Sequence, residues 1–384
     1  MPVPLFRSIM TKPIWIVGAK RTPQGRFLGG LSQQSAVDLA VTAGRAALQG
    51  IAPTLVESVI VGNVLGAGLG MNVARQVGVF LGLPITTPAY TVNMMCLSGL
   101  QAVMLAAQEI RSGNSRMVLC GGTESMSRSP YLMNRVRTGL KFGHAELVDS
   151  LLCDGLTDPF DREHMALTAE RVAGMYQISR EAQDQFALAS QQRYTAAHQA
   201  GRFQDEIVPV NGVMQDEQPR PDSTLEGLAR LKPQFSQTGT VTAGNASGLN
   251  DGAAMLVVCD AETGEQQGLK PLMIIREMAA IGCDPKIMGL GPVHAVRKIG
   301  RPVDDYDMVE LNEAFAAQSL GCIRELDLDE SRVNPDGGAI SLGHPLGASG
   351  ARLLVHLAHR QPRRGLATLC AGGGMGGAIV LERP

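Results

Sequence analysis

Short runs of apolar, often β-branched residues recur along the chain, and several are followed directly by glycine. Runs of this length and composition predict buried β-strands. They occupy residues 14–17, 59–61, 117–120, 254–259, 366–370 and 378–381. Longer segments between them have apolar residues at helical spacing and predict helices. These cover residues 35–48, 98–110, 163–175, 180–200 and 348–358. Strands that alternate with helices predict an α/β protein.

Residues 124–248 interrupt this alternation. They are richer in arginine, aspartate, glutamine and proline than the segments on either side. Polar stretches of this kind are typical of surface loops rather than of buried strands. The sequence therefore predicts a loop-rich lobe inserted into the α/β frame.

The two ends of the chain share an internal repeat. Ser98-Gly99 opens an apolar helical segment that leads to a strand ending at Cys120, and Ser349-Gly350 opens a second one that leads to a strand ending at Cys370. The Ser-to-Cys spacings are 22 and 21 residues. Chance coincidence among abundant glycines is the alternative. The economical interpretation is two halves of one design, with an active site where they meet.

Cys96 lies in a turn directly before an apolar helical segment. A thiol at a helix N-terminus faces unpaired N–H groups and the positive end of the helix dipole. Both effects lower the pKa of the thiol towards the nucleophilic thiolate, so we expect Cys96 to be a nucleophile. The alternative is a buried core cysteine, which is the commoner fate of a free thiol.

His344 is held between glycine and Pro345 just before a helical segment. An imidazole displayed so rigidly can activate a thiol or donate to a developing oxyanion. Asn312 lies 32 residues upstream and offers an amide that can orient a water molecule or the imidazole. The alternatives are a hydrogen-bonded structural histidine and an ordinary helix N-cap.

Cys370 begins a segment in which glycines predominate. Consecutive glycines let backbone N–H groups point into a cavity, as an oxyanion hole requires. Residues 372–377 also match Gly-x-Gly-x-x-Gly, but a strand and the end of the sequence follow where a dinucleotide site needs a helix and an acidic residue. The sequence contains no Gly-x-Ser-x-Gly elbow, Walker loop or His-Glu-x-x-His pair. Together, two cysteines, a histidine, an asparagine and a glycine-rich hole favour carbon–carbon bond chemistry at a thioester.

Composition narrows the possible partners. The 384 residues carry 34 basic and 36 acidic side chains, so no nucleic-acid-binding footprint is expected. Seven widely spaced cysteines indicate neither a zinc site nor a disulfide framework. No apolar run approaches the ~20 residues that span a bilayer. Residues 1–12 are interpreted as a short presequence or as lying upstream of the true start, and we expect a soluble cytoplasmic protein without membrane partners.

Seven ordered sequence blocks resemble those of the thiolase family, most closely its biosynthetic, acetoacetyl-CoA-forming members. The similarity runs from about Pro13 to the end. The blocks are Lys20 to Pro23, the Cys96 segment, Gly121 to Ser127, Gly239 to Gly252, Asn312 to Ala316, the His344 segment and the Cys370 terminus.

The resemblance implies a role for each matching catalytic residue. Cys96 would be the nucleophile that accepts the acyl group. His344 would activate the Cys96 thiol and bind an oxyanion. Cys370 would exchange a proton with the substrate alpha carbon. Asn312 would orient a catalytic water, and the N–H groups of Cys96 and Gly372 would form a second oxyanion hole. Residues matching coenzyme A-binding or tunnel-lining positions are Leu156, His164, Met165, Arg220, Ala243, Ser247, Ala314 and Phe315.

The resemblance also implies a fold and an assembly. The expected fold is a duplicated, five-layered α-β-α-β-α thiolase fold with an inserted loop domain that covers coenzyme A. The expected division is residues 1–128 plus 249–268 for the N-terminal half, 129–248 for the loop domain and 269–384 for the C-terminal half. Coenzyme A thioesters would be substrates, with no separate cofactor or metal, and the chain would form a homodimer or homotetramer.

The implied reaction is reversible condensation of two acetyl-CoA molecules to acetoacetyl-CoA and CoA. A thioether at position 165 would close the acyl tunnel beyond a short chain by steric fill. The alternatives are a longer 3-ketoacyl-CoA or 3-oxoadipyl-CoA substrate, a decarboxylating ketoacyl synthase that shares the fold, and a non-catalytic protein that binds acyl-CoA or lipid.

Overall fold

The computed structural model describes residues 13–384, and the interpretation of residues 1–12 lies outside the described residues. The strands are β1 (Ile14–Arg21), β2 (Gly25–Arg26), β3 (Ser58–Gly62), β4 (Ala89–Val92), β5 (Met117–Ser125), β6 (Tyr131–Met133), β7 (Leu147–Asp149), β8 (Asn250–Asp260), β9 (Met273–Gly282), β10 (Met308–Leu311), β11 (Arg364–Ala371) and β12 (Met375–Glu382). Every predicted strand lies within one of them.

The α-helices are α1 (Ala36–Ala47), α2 (Val73–Phe80), α3 (Ser98–Ser112), α4 (Met165–Met175), α5 (Arg180–Gln199), α6 (Leu225–Ala229), α7 (Ala261–Gln266), α8 (Gly291–Ile299), α9 (Ala316–Leu326), α10 (Ala339–Leu342) and α11 (Leu346–Arg360). Each predicted helix begins and ends within two residues of an observed one. Among residues 13–384, no helix combines the length and apolar character needed to cross a membrane.

One hydrogen-bonded sheet joins both halves of the molecule. Its order is β10-β11-β12-β9-β1-β8-β5-β3-β4, and β2 pairs with β8. The halves are joined by antiparallel pairing of β1 with β9, in which Ile14 lies opposite Ile275. The short β6–β7 hairpin forms a separate two-stranded sheet.

The molecule has five layers, because the N-terminal strands and the C-terminal strands form two β layers that lie between three layers of helices. Helices α3 and α11 form the central layer, because their buried side chains pack against strands of both halves. Helices α1 and α2 cover the outer face of the N-terminal strands. Helices α8 and α9 cover the outer face of the C-terminal strands. Cys96 lies just before the N-terminal end of α3, and His344 lies just before that of α11. Cys370 lies in β11, the strand that follows α11. The repeat found in the sequence therefore includes both central helices of the fold.

A buried charge network fastens the inserted lobe to both halves. His356 on α11 contacts Glu206 of the lobe (Nδ1 to Oε2, 2.8 Å) and Asp336 (Nε2 to Oδ2, 3.1 Å). Arg21 of β1 pairs with Glu206 at 2.6 Å and with Asp216 at 2.6 Å. The carboxylates hold the pKa of His356 at about 9, above its ordinary value, although burial alone would lower it.

This network predicts a loss of stability in alkaline solution. The raised pKa of His356 stabilises the fold fully below pH ~6.5, and this contribution is lost as pH rises through about 9. The loss is on the order of 3 kcal/mol in free energy of unfolding. Denaturant melts of wild type and His356→Gln between pH 7 and 10 measure it. The variant should be less stable at pH 7 and less sensitive to alkali; an equal alkaline loss in both proteins would contradict the role of His356.

Candidate active site

A cavity of about 340 Å³ lies where the two halves meet the inserted lobe. Its lining is mainly apolar. Three of the predicted catalytic side chains, Cys96, His344 and Cys370, line it together with Gly372. The structure therefore brings residues up to 276 positions apart in the sequence into one cavity. Such a cavity shields reactive thiols from water.

Cys96 is displayed by a tightly bonded turn between β4 and α3. Met95 has a φ of +52°, a left-handed conformation that is uncommon for a non-glycine residue. Two side chains hold this turn. The Asn93 side-chain oxygen accepts from the Met95 N–H at 3.0 Å. The Ser98 hydroxyl accepts from the Met94 N–H at 2.8 Å and donates to the Met95 carbonyl at 2.6 Å. Strained backbone held in this way is typical of functional sites.

The expected lowering of the Cys96 pKa is wrong for this structure. Burial raises the pKa of the thiol to about 11, and the backbone N–H groups of Gly372 and Cys96 oppose this only in part. The negative charge of Glu124 raises it further. The helix N-terminus favours the thiolate, but desolvation of the thiol in the cavity outweighs this effect. Cys96 is thus a neutral thiol in the free protein and needs a base.

His344 can be that base. Its Nδ1 lies 2.6 Å from the Ser349 hydroxyl, which itself donates to the Pro345 carbonyl at 2.8 Å. Because the hydroxyl hydrogen is used there, Nδ1 carries the imidazole proton and Nε2 keeps its lone pair. Nε2 is buried without a protein partner among the described residues. Burial and then the Arg352 charge lower the pKa of His344 to about 4, so the ring is neutral.

Cys370 is the penultimate residue of β11, just before a glycine turn. Gly373 and Gly374 have φ values of +80° and +81°, and a Cβ on Gly374 would lie 2.3 Å from the Cys283 carbonyl oxygen. Only glycine fits there. Burial, and then the neighbouring Cys96, raise the pKa of Cys370 well above that of a free thiol. Cys370 is therefore a weak acid whose thiolate, once formed, is a strong base.

Asn312 is not among the residues that line the cavity, although Ala314, two positions further along the chain, is. Its backbone N–H donates to the Thr368 carbonyl at 3.0 Å, which fixes it against β11. The side chain is fully buried, and neither amide atom has a partner among the described residues. An unsatisfied buried amide is costly, so this group fits an ordered water.

The predicted coenzyme-binding residues divide into two sets. Seven line the cavity: Leu156, His164, Met165, Ala243, Ser247, Ala314 and Phe315. The lobe meets the second half here, because the Ser247 N–H donates to the Ala314 carbonyl at 3.0 Å. Arg220 is exposed and does not line the cavity; its backbone N–H donates to the Gln191 side chain at 2.8 Å.

His164 lines the cavity and also stabilises the start of α4. Its Nδ1 accepts from the Ala166 N–H at 3.1 Å and caps α4. Its ring stacks on Phe235 with centroids 3.8 Å apart. Burial lowers the pKa of His164, so the ring is neutral.

Several lining residues were missed by the sequence analysis. Phe235 and Gln234 lie in a polar loop with no regular pattern, and Met288 lies in a short helical turn before α8. Met288 packs with Met165, Ala314 and Cys370 in one apolar cluster. The Met165 sulfur lies close to the backbone of Gly372, since a Cβ built there would be 3.3 Å away. Two methionines therefore border the reacting atoms.

The described part of the chain gives no evidence of a metal-binding site. Among residues 13–384, no group of three or more His, Cys, Asp or Glu side chains is placed to hold a metal ion.

Comparison with known proteins gives a consistent result. A relative from Chromobacterium violaceum named acetyl-CoA acetyltransferase is 52% identical over 96% of this chain and 99% of its own length. Mouse cytosolic acetyl-CoA acetyltransferase is 48% identical over 97% and 98%. The crystal structure of human mitochondrial 3-ketoacyl-CoA thiolase in complex with CoA superposes with a TM-score of 0.95, at 44% identity over 97% and 98% of the two chains.

Family models extend this similarity to both halves. The thiolase N-terminal domain matches residues 14–262, and the thiolase C-terminal domain matches residues 269–383. The five-layered, duplicated arrangement is thus the thiolase fold that the sequence predicted. On the agreement of both domain models, full-length relatives and fold, this chain belongs to the thiolase family.

Proposed function

We propose that this chain is an acyltransferase that condenses two acetyl-CoA molecules to acetoacetyl-CoA and CoA, and that also catalyses the reverse thiolysis. The observation that carries the proposal is the meeting of two neutral thiols, Cys96 and Cys370, with a neutral imidazole, His344, in one apolar cavity. Full-length relatives named acetyl-CoA acetyltransferase support it.

The first half-reaction acetylates Cys96. His344 Nε2 takes the thiol proton as the sulfur attacks the carbonyl carbon of acetyl-CoA. Two sets of donors would stabilise the oxyanions of the reaction: a water held by Asn312 together with His344, and the N–H groups of Cys96 and Gly372. The carbon–sulfur bond to CoA then breaks, and the Cys370 thiol protonates the departing thiolate.

The second half-reaction makes the carbon–carbon bond. The Cys370 thiolate removes a proton from the methyl carbon of a second acetyl-CoA. The resulting enolate attacks the acetyl-Cys96 carbonyl, the bond to the Cys96 sulfur breaks, and the sulfur recovers its proton from His344. The high pKa of Cys370 suits this step, because a strong base is needed to remove a proton alpha to a thioester.

Coenzyme A thioesters are substrates in this proposal, and no separate cofactor is required. Arg220 as a coenzyme contact and the division into two thiolase halves plus a loop domain at residues 129–248 remain parts of the proposal. A cytoplasmic location and the absence of nucleic-acid or membrane partners also stay predictions.

We also propose a homo-oligomer, a dimer or a tetramer. The β6–β7 region exposes large apolar side chains: Tyr131, Met133, Val136, Leu140, Phe142 and Leu147. Strand β4 lies at the end of the sheet order. Apolar patches and open strand edges are typical of protein interfaces. Light scattering on the purified protein measures the assembly, and a monomer would contradict it.

Substrate length is expected to depend on Met165. Wild type should cleave acetoacetyl-CoA in preference to a longer 3-ketoacyl-CoA, because the Met165 thioether fills the space beside Gly372. Met165→Gly should raise kcat/KM for the longer substrate by roughly 10-fold, since a few methylenes in an apolar pocket discriminate only modestly. CoA-dependent thiolysis of both substrates measures this.

Met175→Ala is the matched control, because Met175 is exposed at the other end of α4. It should leave the preference unchanged. A wild-type preference for the longer substrate would keep the thiolase chemistry and refute short-chain specificity. Binding of CoA without any thiolysis would favour the non-catalytic alternative.

A further inference from the structure

Glu124 is a buried carboxylate that takes no direct part in the two proposed half-reactions. It lies near the end of β5, and its side chain is fully buried. It belongs to the Gly121–Ser127 block, which resembles a thiolase motif. A buried charge is costly unless it is paired or fully hydrogen-bonded, so its surroundings need an explanation.

Four N–H groups surround this carboxylate. Three come from the N-terminal half: Asn63 Nδ2 at 2.8 Å, Val64 N at 3.0 Å and Leu65 N at 3.1 Å. The fourth is the backbone N–H of Gly347 in the C-terminal half, at 2.9 Å. All four are donors, which suits an ionised carboxylate that accepts at both oxygens.

The bond from Gly347 connects Glu124 to the catalytic histidine. Gly347 lies in the first turn of α11, three residues after His344. An anion at this position also interacts favourably with the positive end of the helix dipole. The contact is close, because a Cβ on Gly347 would lie 2.5 Å from the Thr123 carbonyl oxygen and 3.0 Å from the Glu124 carboxylate. Glu124 thus holds the segment that carries His344.

The remaining donors to Glu124 lie near Cys96. Val64 and Leu65 belong to the apolar cluster against which Met95 and Cys96 pack, and Leu346 belongs to the same cluster. The carboxylate therefore links a segment that packs on the nucleophile to the segment that carries its base.

We infer that Glu124 is a positioning residue that holds His344 in register with Cys96 across the junction of the two halves. The inference rests on the proposed roles of Cys96 and His344. Burial raises the pKa of Glu124 to about 7, and the backbone N–H groups of Leu65, Val64 and Gly347 oppose this by favouring the ionised carboxylate. A misplacement of about 1 Å between reacting groups costs roughly 100-fold in rate.

Two substitutions separate positioning from a simple charge effect. Glu124→Gln keeps the length but turns an NH₂ group towards N–H donors. Glu124→Asp keeps the charge but is one methylene too short to span both segments. Positioning predicts that both lower kcat for acetoacetyl-CoA thiolysis by about 100-fold, with KM changed less than about threefold. Wild-type kcat in either variant would overturn the inference.

A neighbouring carboxylate provides the control. Asp251 on β8 is also fully buried and accepts from the Ser127 N–H and hydroxyl, which lie in the same half. Its charge raises the pKa of Glu124, so its replacement removes a neighbouring charge but leaves every hydrogen bond of Glu124 in place. Asp251→Asn should lower the melting temperature yet change kcat less than about threefold. A loss of kcat equal to that of Glu124→Gln would mean that any buried carboxylate has this effect, and would overturn the inference.

Asn63→Ala covers the case in which the Glu124 variants do not fold. It removes one of the four donors and should lower kcat about 10-fold at unchanged KM. A folded Asn63→Ala protein with wild-type kcat would count against positioning. Lack of thiolysis in wild type would instead refute the proposed function, and the inference with it.

Discussion

Replacing Cys96 with alanine is expected to remove thiolysis and condensation almost completely, by at least about 10⁴-fold in kcat. The loss follows because both half-reactions pass through an acetyl group on this sulfur. No other thiol can substitute, since Cys370 is needed as a base and carries a strongly raised pKa. Steady-state assays with acetoacetyl-CoA and CoA measure the effect.

Cys153→Ala is the matched control for this experiment. Cys153 is exposed, and its neighbour Leu152 borders the cavity. Its replacement should leave kcat unchanged. Retention of a substantial part of the activity by Cys96→Ala would show that the acyl group does not pass through Cys96.

Replacing Cys370 with alanine is expected to separate the two half-reactions. Acetyl-CoA should still acetylate Cys96, because CoA is an adequate leaving group as its thiolate. Condensation should fall by roughly 10³-fold or more, since no base remains to remove the methyl proton of the second acetyl-CoA. Acetyl-enzyme is measured by mass after acid quench, and condensation by acetoacetyl-CoA formation.

Exchange of the acetyl-CoA methyl hydrogens with D₂O gives a second readout for the same variant. Wild type should catalyse the exchange through Cys370, and Cys370→Ala should not. Exchange at the wild-type rate in the variant would assign the proton shuttle to another group.

Most of the helices and strands predicted from the sequence are present, because the local pattern of apolar and polar residues largely determines where such elements begin and end. The run at residues 117–120 is apolar on both faces and became a fully buried strand. Ser35 and Asp38 form a reciprocal cap that starts α1 where the apolar spacing begins. Strand β9 was missed, because Arg276 and Glu277 interrupt its apolar pattern.

The site was predicted less completely, since tertiary packing sets its chemistry. The glycine and proline frame of His344 indicated a displayed imidazole, and the structure places it on the cavity. The direction of the Cys96 pKa shift was wrong because desolvation is invisible in a local pattern. Phe235 and Met288 reach the cavity from segments without any periodicity.

The central claim is that a neutral Cys96 thiol, activated by His344, carries the acetyl group. Rapid quench of wild-type protein with acetyl-CoA, followed by peptide mapping, tests it most directly. We expect one acetyl group on the peptide that contains Cys96, and we expect it to disappear when CoA is added. An acetyl group on Cys370 instead, or continued turnover without any acetylated Cys96, would contradict it.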